Sequence, residues 1–112
     1  MNLNQFLSSD EDRAWIKEPH INVYVRKTFH YISKNKYPFL DLANVGVKEK
    51  FRGKGIFKAF LKQFENEAKK SNRGVYVESI QEIRLEEFLK KNGYKYVLGT
   101  PEAFPSMYKL FT

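Results

Sequence analysis

The sequence contains no cysteine. Disulfides, cysteine-ligated zinc and cysteine nucleophiles are therefore excluded. Histidine is nearly as scarce. Only His20 and His30 occur, not at metal-ligand spacing, so each reads as a surface or packed histidine and no metal site is expected. No apolar run approaches the roughly 20 residues that cross a bilayer. Residues Met1 to Asp12 are polar and acidic, unlike a signal peptide. No membrane association is expected, and the expected setting is cytoplasmic. Internal repeats and low-complexity tracts are missing too, as is the tight basic run of a nucleic-acid arm.

What is present suffices for one folded domain, residues 1–112. The chain is 42% hydrophobic and 16% aromatic, with ten Phe and seven Tyr, enough for a real core. Its net charge of +7 attracts polyanions in general without choosing among nucleic acid, an acidic protein face and a phosphorylated ligand.

Residues 1–20 form a lead-in, in which Ser9 and Asp12 suggest a capping box for a short helix through Ala14, Trp15 and Ile16. Ile21 to Ile32 reads as one long strand or two short ones, Ser33 to Pro38 as a turn, and Phe39 to Val47 as a buried central strand. Apolar residues Ile56, Phe57, Phe60, Leu61, Phe64 and Ala68 then recur at helical spacing, and Asn72-Arg73-Gly74 stops that helix. Val75 to Ile80 reads as a strand and Ile83 to Lys91 as a second amphipathic helix closed by Gly93. Tyr94 to Leu98 and Met107 to Phe111 are two final strands. This order predicts an α/β (α+β) domain with helices packed on a mixed sheet.

The sharpest feature is Arg52-Gly53-Lys54-Gly55 between the central strand and the first strong helix. A helix N-terminus presents unpaired N–H groups and partial positive charge, glycines let the backbone approach a ligand, and Arg and Lys add donors for phosphate oxygens. Two familiar phosphate loops do not fit. A P-loop needs Gly at Lys48 and Ser or Thr at Gly55, and a dinucleotide fingerprint needs Gly at Lys58.

The stretch Leu40 to Leu61 resembles the acyl-CoA motif of the GCN5-related N-acetyltransferases, in which an apolar strand leads into Arg or Gln, two free positions, Gly, one free position, and Gly or Ala. Arg52 and Gly55 match; Phe57 departs from the last place. Val75 to Ser79, Ile83 to Lys91 and Gly93-Tyr94 resemble the family's next strand, helix and Gly-Phe pair. The motif unit spans residues 39–71. The resemblance implies a mostly antiparallel central sheet, a fold shortened at its N-terminus, and transfer of acetyl from acetyl-CoA to an amine of a small molecule or protein. It implies that Arg52, Gly53, Lys54, Gly55 and Ile56 receive the pyrophosphate, and that Val45 and Val47 offer backbone to the pantetheine arm. The family's usual Tyr acid would stand at Leu89, which cannot donate a proton.

Asp41 and Glu78 are carboxylates inside apolar strand runs. Each is a candidate general base, and the structural alternative is a carboxylate that faces solvent or pairs with Lys or Arg. Tyr94, Tyr108 or a water could supply the acid instead, with Tyr108 in the closing strand the preferred candidate, and Asn44 and Ser79 could orient a carbonyl or a water. Two other functions compete: a CoA-binding or protein-interaction module of the same fold without turnover, and a small basic binding factor. Nucleic acid is possible but not favoured, because the Tyr and Phe residues follow core periodicity instead of forming a stacking platform.

Overall fold

A computed structural model describes residues 1–47, 53 and 55–111, with Gly46 and Val47 described through their backbone. In chain order the elements are α1 (Leu3–Leu7), β1 (Arg13–Lys17), β2 (Ile21–Ile32), β3 (Asn35–Val47), α2 (Ile56–Lys70), β4 (Gly74–Val77), α3 (Ile83–Lys91), β5 (Lys95–Tyr96) and β6 (Met107–Lys109). The strands form one sheet in the order β1-β2-β3-β4-β6-β5. Among them β3 and β4 pair in parallel and the other pairs are antiparallel. The sheet is mixed and mostly antiparallel, as expected.

The N-terminal segment differs from its sequence reading. Its helix is α1, capped by Asn2 and Gln5 in a reciprocal box. Ser9 instead accepts the Glu11 N–H and donates to the Phe6 carbonyl, a local turn. Ala14 to Ile16 belong to β1, because pairing with β2 rewards alternation: Ile16 is buried and Trp15 exposed. The reverse turn after β2 is also tighter than expected. Ile32 pairs with Asn35, so only Ser33 and Lys34 turn, Ser33 at φ 58°. Pro38 is accommodated within β3 because β4 first pairs at Phe39, leaving β3 an edge on that side. β4 ends at Val77, short of the expected Ile80, and Ser79 takes a positive φ of 49°. The last two strands are likewise shorter than read.

Period-2 alternation sorts side chains between the two faces of the sheet. Val23, Val25, Leu40, Leu42, Val75, Val77 and Met107 join one apolar cluster with Leu3 and Phe6 of α1, Phe60, Leu61, Phe64 and Ala68 of α2, and Leu89 of α3. The three described helices therefore pack on one face. The other carries Arg26, Thr28, His30, Phe39, Asp41, Tyr76 and Tyr108, and no described helix covers it. Phe39 and Asp41 are buried there nonetheless, beneath a local group of rings. His30 stacks on Tyr76 at 3.8 Å, and Phe39 meets His30, Tyr76 and Tyr108 edge-on.

Candidate functional site

The parallel pairing of β3 with β4 runs from Phe39–Gly74 to Leu42–Val77 and then stops. A bulge explains the position of the break. Val25 pairs with Leu42 but Tyr24 pairs with Asn44, so Ala43 is an extra residue on β3. Such an insertion bends its strand and raises the local twist, and it falls where β3 parts from β4. The gap is a cleft of about 290 Å³ lined by Leu42 to Val45, Val77 to Glu82 and Leu85. Beyond Leu42 no described strand pairs with β3 on the cleft side, so backbone groups near Val45 are available to a ligand that can pair with them.

Glu78 stands at the start of this cleft. It follows the last residue of β4, and its N–H donates to the Leu42 carbonyl at 3.1 Å. Its carboxylate accepts from Arg26 of β2, so the structural alternative weighed for Glu78, pairing with a cation, is realised at the cleft edge. Asn44 and Ser79 also line the cleft. The Ser79 N–H donates to Ser106 Oγ at 3.0 Å.

Asp41 lies outside the cleft lining. Its carboxylate accepts from Thr28 Oγ1 at 2.6 Å, has His30 Nε2 at 3.1 Å from both oxygens, and lies 3.6 Å from Arg26 Nη2. Tyr108 also lies outside the lining, opposite Tyr76 in register with its ring against Phe39. Leu89 is fully buried in the core. Burial pushes the Tyr76 phenol above its usual range and the Asp41 charge adds to the rise, while Ser106 and Arg26 pull the other way. The neutral phenol is thus the form this site holds.

At the opening of α2, Gly53 and Gly55 have φ of 78° and 75°, and Gly55 is the N-cap, with no side-chain cap bond. A Cβ at either would meet nothing within 4 Å among the described residues. This is the open, left-handed geometry through which a ligand can approach the free N–H groups of the helix. Ile56 and Val45 are partly buried against the core. Arg52 and Lys54, the expected charged donors, lie outside the described residues, and for Val47 only the backbone is described.

Sequence reasoning had no part for Arg26, Thr28 or Tyr76. Arg26, Thr28 and His30 share one face of β2 at every second position, and a two-residue turn places Arg26 opposite Asp41. That alternation was the available signal.

No family model matches the chain, and no curated protein matches it in sequence. Similar solved structures do exist. Two hold a mutant AtaT toxin bound to the C-terminus of the antitoxin AtaR, one of them with acetyl-CoA. Both are 14% identical and cover 80% of this chain, with TM-scores of 0.62 and 0.63. A KacTA–DNA complex is 10% identical over 85% of this chain, with a TM-score of 0.60. This chain spans 57% of the AtaT chains and 63% of the third, less than two thirds of each. At such identities the likeness establishes the fold alone, and that fold is the one of the GCN5-related N-acetyltransferases.

Proposed function

We propose that the chain transfers an acetyl group from acetyl-CoA to a primary amine by direct attack on the thioester. The observation that carries this reading is the cleft where β3 and β4 part, with Glu78 at its edge. The two positive-φ glycines opening α2 support it as a phosphate approach, and one AtaT structure of the same fold contains acetyl-CoA. Arg52, Gly53, Lys54, Gly55 and Ile56 would hold the pyrophosphate, and the β3 backbone near Val45 and Val47 the pantetheine arm.

A lysine-type amine, with a pKa near 10.4, is mostly protonated at neutral pH and must lose a proton before it attacks. Glu78 is the base proposed for that step. As the new C–N bond forms the C–S bond breaks, and the thiolate leaves with the basicity of an ordinary thiol, about 8.5. It needs no strong acid, so Leu89 in the usual acid position is compatible with turnover. Tyr108 is then a secondary proton source.

Transfer to a reactive amine, followed as kcat/KM against pH, tests these roles. Glu78→Gln is expected to lower kcat/KM at least about tenfold, and Tyr108→Phe less. An unaffected Glu78→Gln profile beside a collapsed Tyr108→Phe profile would reverse the two roles. The buried Leu89 favours a second reading, a CoA-binding module without turnover. That reading predicts a thermal melt raised by CoA with no acceptor-dependent thiol release. Because the AtaT neighbour is a toxin seen with an antitoxin segment, growth arrest on expression, relieved by Glu78→Gln, is the first cellular phenotype to measure.

A further inference from the structure

On the uncovered face of the sheet one guanidinium touches two carboxylates of different standing. Arg26 sits in β2 directly across from Asp41 on β3. Its Nη2 lies 3.6 Å from Asp41 Oδ2 and donates to Oε2 of Glu78. Asp41 is a fixed point, with a side chain 1% exposed and its oxygens engaged by Thr28 and His30. His30 is clamped in turn by the rings of Tyr76 and Phe39. Glu78 is held far less: its side chain is 36% exposed, and it stands just beyond the last residue of β4. A carboxylate on three rotatable bonds has many rotamers that point away from the cleft, and ordering it without a partner costs entropy. Arg26 is not placed for packing economy either, since its buried Nε has no partner among the described residues.

We propose that Arg26 is a positioning residue: anchored by Asp41, it holds the Glu78 carboxylate at the mouth of the β3–β4 cleft. The kinetic consequence rests on the acetyl-transfer reading, whereas the contact itself can be tested without turnover. Both contacts fall on one nitrogen, Nη2, of a planar, always-charged guanidinium, whereas a lysine would bring a compact, strongly hydrated charge to the same spot on a flexible stem. A neighbouring cation also favours the charged form of a carboxylate, the form that accepts a proton. Among the described residues, His30, Tyr76 and Tyr108 are further titratable groups on this face beside Asp41 and Arg26.

The experiment is a ¹³C NMR titration of the Glu78 carboxyl, assigned by its loss in Glu78→Gln, in wild type, Arg26→Lys and Arg26→Gln. The Glu78 midpoint is expected to move to higher pH in Arg26→Gln, with Arg26→Lys between. Midpoints that coincide in all three proteins overturn the proposal, whether or not any of them transfers acetyl. With an amine acceptor, Arg26→Gln is expected to lower kcat by roughly tenfold to a hundredfold, the scale of a misplaced group, with KM for acetyl-CoA within about twofold. Adding Arg26→Gln to Glu78→Gln is expected to cost nothing further, and additive losses overturn the positioning role. A wild type that transfers no acetyl at all refutes the proposed function, and the titration then decides the contact alone.

Discussion

Asp41 has no route to solvent, so its carboxylate depends on the groups around it. Thr28, His30 and Arg26 supply donors and charge. Removing one member of a fully buried ion pair costs about 3–5 kcal/mol. Arg26 and His30 remain 33% and 28% exposed. Asp41→Ala is therefore expected to cost on the order of 2–3 kcal/mol, below the fully buried figure. Urea melts at pH 7 measure this, and a loss under about 0.5 kcal/mol, the level of an ordinary surface substitution, would mean that the network does not hold the sheet together. Tyr94 offers a different test. Its hydroxyl donates to Glu65 at 2.6 Å, and burial, with that carboxylate, pushes the phenol far above the ordinary range near 10. The unfolded phenol loses its proton from about pH 10 upward while the folded one keeps it, so the native state binds more protons there and stability falls as pH rises. Melts at pH 9 and 11 should show this fall in the wild type, and a smaller one in Tyr94→Phe. Equal falls in the two proteins would remove Tyr94 as the cause.

At the scale of elements, how far each was legible follows from what fixes it. The two longer helices were readable because their apolar residues recur at helical period and their ends carry glycine signals; α3 is found over the predicted Ile83–Lys91. The central strand was readable from its apolar run. The β2–β3 register was not, since it depends on which residues turn. A turn over Ser33 to Pro38 hides the partner of Asp41, whereas counting back from the observed Ile32–Asn35 pair puts Arg26 opposite it. The Glu78 contact was harder to foresee, because the Ala43 bulge that opens the cleft leaves no mark in composition. Gly53 and Gly55 were legible as a loop but not as left-handed residues, and their φ values decide which substitution can test the loop. Gly55→Val would strain the backbone by roughly 1–3 kcal/mol wherever a ligand binds. Asn tolerates the same conformation while still adding a side chain. Gly55→Asn is therefore expected to melt near the wild type yet bind CoA more weakly, and Arg52→Ala to lose about tenfold or more in CoA affinity through a lost charge-assisted contact. Calorimetric titration with CoA measures both, and unchanged affinity in the pair would place the phosphate site elsewhere.

At the scale of the molecule, the three described helices lie on one face, and the cleft opens at the end of β3 from which the chain runs into the glycine loop. The net charge of +7 attracts any polyanion, so binding of a phosphorylated compound is weak evidence by itself. What discriminates is the ranking of ligands. ATP, NAD and CoA all bring phosphates to a basic surface, but CoA also has a pantetheine arm whose amides can pair with the edge of β3 beyond Leu42, where no described strand pairs on the cleft side. Gains from charge alone would track phosphate number and fade with salt, because exposed contacts are screened within about 8 Å at physiological ionic strength. Gains from backbone pairing in the cleft would persist. A ligand that binds only the native state stabilises it by RT ln(1 + [L]/Kd), about 2.7 kcal/mol at 100 times Kd. For a domain of this size, 1 kcal/mol moves Tm by roughly 4–8 °C, so saturating acetyl-CoA should raise the melt by about 10 °C or more. The expected order is acetyl-CoA and CoA well above ATP and NAD, and retained in high salt. A melt that responds equally to all four, or to ATP and NAD alone, would leave a basic surface in place of a CoA site and remove the basis for acetyl transfer.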